Sequence, residues 1–373
     1  MQIGVDARSL LPMRSGIGTY LGEILQHLPA NEAVDRFHLF SHGAVDLPPH
    51  PWVETHIHQA RWGLAWYLFQ SHSLVNPLGL DLFWGVQSLL PLGLKQQLPS
   101  VITVHDCVHR MGTSYAPSAL YNHLHRLLLP VSLRRARKIL TISQYVAGEI
   151  HQYYQVPFSR IEVTPLGVSD VFLRSNMRER EIQGVLDKHK IPRPFILAVG
   201  NLEPRKNLKT LLQAFALLPS DLHQRYHLVL VGKMGWHPEH LKSGLHSHPL
   251  SDRIITTGYV SAEDLPYLYA GAEMLVFPSF YEGFGLPALE AMAAGCPVVA
   301  SNTSGLGELV GSAGILVDPY GPSDAWRRAI EELARSSGLR NELRTEGFSR
   351  AERYKWENCA KSTLDLLTNF SRK

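Results

Sequence analysis

At 373 residues, with 45% hydrophobic and 18% charged side chains, the chain is too long for one ordinary core and too apolar for disorder, so two globular domains are expected. A formal charge of +3 excludes the dense basic stripe of a nucleic-acid binder, while still favouring anionic ligands or membrane surfaces. The three scattered cysteines, Cys107, Cys296 and Cys359, argue against a disulfide framework and for a reducing compartment.

The first element, QIGVD, reads as a strand, and Asp6 and Arg8 stand where a signal peptide needs an unbroken apolar core. No stretch approaches the ~20 apolar residues of a membrane span, so a cytoplasmic protein is expected. After about nine residues comes Ser15-Gly-Ile-Gly-Thr-Tyr20. The third position of a dinucleotide fingerprint is Leu21 here, so the segment reads as a flexible turn near a ligand, or simply as a turn. RFHLFS and SVITVH follow as strands. The second ends in His105-Asp106, where a histidine that donates to a sugar hydroxyl or phosphate is preferred over a packed structural one. The spelling HDCVH is disfavoured as a metal site, because four ligands this close in sequence rarely converge. Among 19 histidines, His56-x-His58, His123-x-His125 and His246-x-His248 carry no special signal. Arg126, Arg134, Arg135, Arg137 and Lys138 around Leu127-Leu-Leu129 read as a basic surface for a membrane face, or as a solvated helix leading into the strand KILTIS.

A charged interval, 174–193, is expected to join a first domain (1–173) to a second (194–354). The second repeats the alternation with FILAVG, HLVLVG, EMLVFP and PVVAS, which predicts parallel sheets covered by helices on both faces. Open sheets of this kind bind ligands beyond the carboxyl ends of their strands. Two loops stand there. Gly200-Asn-Leu-Glu-Pro-Arg-Lys-Asn207 has Arg205 where a P-loop needs its second glycine and Asn207 where it needs Ser or Thr, which disfavours a Walker-type NTPase. Paired cations there suit a diphosphate, Arg205 as a fork and Lys206 as a point charge, or form a solvated basic loop. In FYEGFGLPALEAMAAG, Pro287 starts a helix that Gly295 stops, so the amides of Gly283, Phe284, Gly285 and Leu286 surround a positive helix end. Taken singly, Glu290 also reads as a complement to the helix dipole and Glu282 as a plain loop charge; together they flank the helix start as pure acceptors for sugar hydroxyls, a layout that matches a nucleotide-sugar. Helical patterns from Ser323 to Leu367 close the chain, and the last is expected to pack away from its own domain.

With E-x7-E, Arg205-Lys206 after Gly200, and the text AMAAGCPVVAS in this order, the chain resembles retaining glycosyltransferases of the group 1, or GT4, family along nearly its whole length. The resemblance implies the α/β GT-B fold: two Rossmann-like, doubly wound parallel-sheet domains facing across a cleft, with a final helix (355–373) crossing back to the acceptor-binding N-terminal domain. It implies that Arg205 and Lys206 bind the donor diphosphate, that Glu282 and the following amides hold sugar and phosphate, and that Glu290 binds ribose. Tyr259 and Val260 would lie against the base, with Gly16, Gly18 and His105 reaching the donor; Ser15 departs from the usual leading glycine. The implied chemistry is metal-independent transfer of a hexose, mannose from GDP-mannose first, to a saccharide or lipid-linked acceptor in bacterial polysaccharide or glycolipid assembly. A peripheral contact with the inner membrane face and no nucleic-acid partner complete the expectation. A non-hydrolysing nucleotide-sugar epimerase and a non-catalytic nucleotide-sugar binder share the architecture, and release of nucleoside diphosphate to an acceptor separates them.

Overall fold

The computed structural model describes residues 1–12, 16–29, 33–48, 50–112, 115, 118–236, 241, 243–245 and 247–369, and the chain divides into two compact units. The first comprises Met1–Gly167 with Lys355–Lys373, and the second Val168–Tyr354.

In the first unit seven strands run β1 (Gln2–Asp6), β2 (Arg36–Ser41), β3 (Val53–Ile57), β4 (Leu82–Gly85), β5 (Ser100–Val104), β6 (Lys138–Thr141) and β7 (Ile161–Val163). All pair in parallel, in the order β3-β2-β1-β4-β5-β6-β7. Such pairing needs a crossover between strands, and the helices α1 (Gly16–His27), α2 (Gly63–Phe69), α3 (His72–Val75), α4 (Ala119–Arg135) and α5 (Gln144–Tyr154) lie in these connections. β4 and β5 are buried along their whole length, as a sheet covered on both faces requires.

The second unit opens with α6 (Glu179–Lys188), which lies within the interval read from sequence as a junction and carries its own buried face, Ile182 and Leu186. Its sheet holds β8 (Phe195–Val199), β9 (His227–Val231), β10 (Ile254–Gly258), β11 (Met274–Phe277), β12 (Val298–Ser301) and β13 (Ile315–Val317), ordered β10-β9-β8-β11-β12-β13. Its helices are α7 (Leu208–Ala216), α8 (Ser220–Arg225), α9 (Leu265–Gly271), α10 (Leu286–Ala293), α11 (Ser304–Val310), α12 (Ser323–Arg335) and α13 (Ser337–Ala351). Trp326, Ile330 and Leu333 of α12 join Leu211 and Phe215 of α7 in one core over the sheet.

The chain crosses between the units twice, and the two crossings run side by side: the Val168 amide donates to the Tyr354 carbonyl at 3.0 Å. A Cβ on Gly167 would stand 2.2 Å from the Trp356 nitrogen, so this position needs glycine for the close approach. The last helix, α14 (Trp356–Thr368), then packs along α1 in the first unit through Trp356, Cys359, Ala360, Leu364 and Leu367.

Four strands carried no readable signal. β3, β7 and β10 are edge strands of three to five residues with polar members, and β4 is four residues long. Strands this short give too few positions for alternation to register. None of the described helices is long and apolar enough to cross a membrane.

Candidate functional site

In the second unit the chain moves from β8 through β9 to β10 on one side, then returns to place β11 on the other side of β8. The loops after β8 and β11 therefore leave adjacent strands in a crevice at the switch point of the sheet. Gly200 has φ +135°, and a Cβ there would lie 3.0 Å from Lys206 Cε and 3.2 Å from its Nζ. The glycine leaves room for Lys206 to fold back over the strand end. Pro204–Lys206 form one 3-10 turn, and Asn207, left-handed at φ 52°, hands the chain to α7. Arg205 ties the two loops together: its carbonyl accepts from the Phe280 amide at 2.9 Å, and its Nη1 donates to the Tyr281 carbonyl at 2.6 Å.

The charged side chains converge. Lys206 Nζ lies 2.7 Å from Glu282 Oε1, and Arg205 Nη1 lies 2.9 Å from Glu282 Oε2. On its other edge Arg205 binds Glu203 Oε1 through Nη2 at 2.8 Å and Nε at 3.0 Å. Lys206 also sits 4.7 Å from the centre of the Phe277 ring. Burial opposes ionisation of Glu282, but Arg205 and Lys206 outweigh it and hold the carboxyl at about 2, so it is charged at any working pH. Burial raises Glu203 and lowers Lys206, each against the pull of its partners. Lys206 and Glu282 are each only 8% exposed, so the pair is locked unless a ligand competes for it.

Beside this cluster begins α10. Gly285 has φ +112°, and the Gly285 carbonyl accepts from the Ala288 amide to close the first turn. Gly295, at φ +72°, follows the last turn. α11 buttresses the loop: the Glu282 amide donates to Ser304 Oγ at 2.9 Å, and the Gly305 amide donates to the Glu282 carbonyl at 3.0 Å. Ser304 is itself left-handed at φ 54°, and a Cβ on Gly305 would stand 2.1 Å from the Gly283 oxygen. The buried Phe284 ring meets Tyr354 edge-on, with 5.6 Å between ring centres.

Glu290 lies farther along α10 and accepts from the Tyr269 hydroxyl at 2.8 Å. Burial lifts its carboxyl to about 7, against the lowering effect of that hydrogen bond. A carboxyl that holds its proton more tightly folded than unfolded stabilises the fold while protonated. That contribution is complete below the unfolded value near 4.5 and lost as pH rises through about 7. Because Glu290 is partly exposed, we expect Glu290→Gln to retain about 1–2 kcal/mol that the parent loses between pH 4.5 and 8. Parallel pH profiles of chemical denaturation for the two proteins would contradict this.

Tyr259 and Val260 follow β10, two strands from β8. Val260 is buried, whereas Tyr259 is 61% exposed with Lys233 Nζ 4.8 Å from its ring centre.

The remaining predicted residues belong to the first unit. Gly16 and Gly18 form the first turn of α1 and not a loose turn, while Ser15 lies outside the described residues. His105 Nε2 lies 2.9 Å from the Val86 carbonyl, which can only accept, and burial pulls the imidazole down to about 4. The neutral ring thus spends its one proton on Val86 and offers Nδ1 as an acceptor. This reverses the expected polarity: Nδ1 of His105 can accept a hydrogen bond from a hydroxyl, and no ring proton is left to donate to phosphate. It borders a cavity of about 190 Å³ together with Arg8, Gln87, Ser88, Asp106 and Tyr121. Arg8 is clamped there by Asp6 through two 2.8 Å bonds and stacks 3.6 Å over Tyr67. In HDCVH, Cys107 is buried in the core and His109 turns to the Tyr154 hydroxyl, so the segment's ligating atoms point apart.

The basic segment on α4 also divides. Leu129 is buried, Arg135 donates to the Lys95 carbonyl at 2.7 Å, and Lys138 donates to the Ser159 carbonyl at 2.7 Å. What remains outside is a stripe of Leu120, Leu127 and Val131 flanked by Arg126 and Arg134.

Sequence reasoning missed Glu203, Ser304 and Tyr269. Glu203 stood within the quoted loop GNLEPRKN; the other two are joined to the site only by folding.

Residues 183–350 match the family described as Glycosyl transferases group 1, and residues 14–171 match Glycosyltransferase Family 4. The chain is 34% identical to O-antigen chain mannosyltransferase B of Escherichia coli over 370 residues, spanning 94% of this chain and 95% of that protein. Among solved structures it is similar to WaaG, a glycosyltransferase involved in lipopolysaccharide biosynthesis, at TM-score 0.78 and 17% identity over 98% of this chain and 99% of that one. It is also similar to Anabaena HepE in complex with UDP-glucose, at TM-score 0.77 and 18% identity over 99% and 100%. The two structural likenesses establish the fold.

Proposed function

Because the chain belongs to the group 1 glycosyltransferases, and is therefore a glycosyltransferase of GT-B fold, we propose that it moves mannose from GDP-mannose with retention to a saccharide or lipid-linked acceptor in bacterial polysaccharide or glycolipid assembly. The observation that carries this reading is the cluster of Arg205, Lys206 and Glu282 beside the N-terminus of α10. Mannose is favoured by the likeness to the O-antigen mannosyltransferase along nearly the full length of both chains.

The chemistry follows from charge. Breaking the anomeric C–O bond leaves an oxocarbenium-like centre and a diphosphate that gains negative charge. Glu203 and Glu282 balance Arg205 and Lys206. An arriving diphosphate competes for those cations, and the amides at the start of α10 add their partial positive charge. Glu282, relieved of its share, accepts from hydroxyls of the transferred sugar. The departing diphosphate takes the acceptor proton on the same face, so no protein base is required and the configuration is retained. Glu290 receives the ribose hydroxyls, and Tyr259 stacks against the base. In the first unit the acceptor enters the cavity beside His105, whose Nδ1 takes a hydroxyl hydrogen bond. No metal is needed in this scheme, because the two cations do the neutralising.

The donor assignment is tested by thermal shift against GDP-, UDP-, dTDP- and ADP-sugars. Ligand at a hundred times its Kd stabilises by about 2.7 kcal/mol, so GDP-mannose should stand apart from the rest. Incubation with acceptor then releases GDP and forms an α-linked mannoside; a selective shift with a UDP-sugar in its place would overturn mannose. The outward stripe on α4 predicts a peripheral contact. We expect binding to vesicles rich in anionic phospholipid, and the Arg126→Gln, Arg134→Gln variant to bind roughly 10–100-fold more weakly at about 1 kcal/mol per charge removed. Equal binding to neutral vesicles would contradict it.

A further inference from the structure

On the first unit's sheet, β2 and the edge strand β3 place His38 opposite Glu54 and Phe40 opposite His56. Alternate residues of a strand share a face, so His38, Glu54 and His56 come together. His38 Nδ1 is 3.0 Å from His56 Nε2, Glu54 Oε1 is 3.6 Å from His56 Nε2, and Glu54 Oε2 is 3.9 Å from His38 Nδ1. Ligand atoms at 2.0–2.1 Å from a tetrahedral zinc stand roughly 3.3 Å apart, and each of the three side chains offers a ligand atom within 4.8 Å of the other two. Among the described residues no other set of three His, Cys, Asp or Glu side chains meets this condition.

Each ligand is aimed from outside the triangle. His38 Nε2 lies 3.1 Å from Gln2 Oε1, an acceptor, so its proton sits there and Nδ1 presents a lone pair to the cluster. Holding the distal N–H in this way is how metal-bound imidazoles are oriented. Arg36 Nη1 takes Glu54 Oε2 at 2.8 Å and leaves Oε1 toward His56. The His56 ring stacks on Phe40 with 5.0 Å between centres. A plain His56-to-His38 hydrogen bond satisfies two of these atoms, yet it gives no account of why the carboxylate is turned to the same point.

We propose that His38, Glu54 and His56 form a site for a zinc-class divalent cation, with water as fourth ligand, which staples edge strand β3 to β2. Zinc binding moves the His56 proton from Nε2 to Nδ1 and joins two nitrogens and one carboxylate oxygen to the metal. The site is separate from the diphosphate cluster and is independent of how the donor is bound.

With 19 histidines in the chain, adventitious binding is the competing account, and the test must distinguish it. Metal-free full-length protein is titrated with zinc by calorimetry, and with Co(II) while the visible absorption is followed. His56→Ala and Glu54→Gln are used because both side chains are partly exposed, whereas His38 is buried and its loss threatens folding. The expected result is one saturable equivalent, with the intense d–d bands of tetrahedral Co(II). Each variant should weaken binding at least about tenfold while glycosyl transfer stays intact. No saturable equivalent, octahedral Co(II) spectra, or undiminished binding in the His56→Ala, Glu54→Gln double variant would overturn the proposal.

Discussion

Replacing Lys206 with alanine should lower kcat by at least about 30-fold, the equivalent of ~2 kcal/mol of transition-state stabilisation. Lys206 is held at the strand end by the space that Gly200 leaves, and it meets Glu282 at 2.7 Å. Without the ammonium, a diphosphate gaining charge during bond cleavage keeps Arg205 and a helix end but loses its most deeply set cation. Because that charge is larger in the transition state than in the bound donor, kcat should fall more than donor affinity. The fold should survive, since Glu282 retains Arg205 as a partner at 2.9 Å. Steady-state kinetics at saturating donor, on protein of verified thermal midpoint, measure it. A variant with near-normal kcat would remove Lys206 from the reaction.

The second large effect is on stability. Glu282→Ala should cost about 3–5 kcal/mol, because it leaves two neighbouring cations sharing Glu203 alone in a buried setting. For a unit of this size that is a fall of roughly 6–15 °C in thermal midpoint. The same argument predicts a compensation. Added GDP supplies the missing negative charge, so it should raise the midpoint of Glu282→Ala by more than it raises that of the parent. Scanning calorimetry with and without GDP reads both effects. An unchanged midpoint, or a GDP shift no larger than the parent's, would mean that the carboxylate and the diphosphate do not occupy interchangeable electrostatic positions. In the proposed scheme Glu282 accepts from the sugar hydroxyls, so activity should also collapse.

What could be read before folding was local. FILAV, HLVLV and MLVF are uninterrupted apolar runs because both faces of the second sheet are covered, and such runs announce themselves. Gly200, Arg205 and Lys206 were legible as a candidate site because they stand directly after a strand and before a helix, where open parallel sheets bind ligands. Glu282 and Glu290 stood out by their place around the start of α10. The hidden parts depend on contacts between distant positions. Tyr269 reaches Glu290 across 21 residues, and Ser304 reaches the Glu282 amide across 22. Nothing in the text around Val86 shows that its carbonyl takes the His105 proton, so the polarity of that histidine was misread. His56 was passed over because its neighbour in sequence, His58, was the wrong one to consider. Its partner, His38, is 18 residues away on the adjoining strand. The pairing of Glu282 with Arg205 and Lys206 was equally invisible: E-x7-E pointed to hydroxyl recognition, and in the fold the first of these glutamates balances two cations 76 and 77 residues away in sequence.

In the proposed scheme the diphosphate of the donor exchanges with Glu282 and Glu203 for the two cations in the second unit. A crystal structure of the protein with GDP tests it most directly. The account predicts phosphate oxygens within about 3 Å of the Arg205 guanidinium, of Lys206 Nζ and of the amides that begin α10, with the Lys206–Glu282 contact lengthened. A diphosphate seated elsewhere, with Arg205 and Lys206 still closed on their carboxylates, would contradict it.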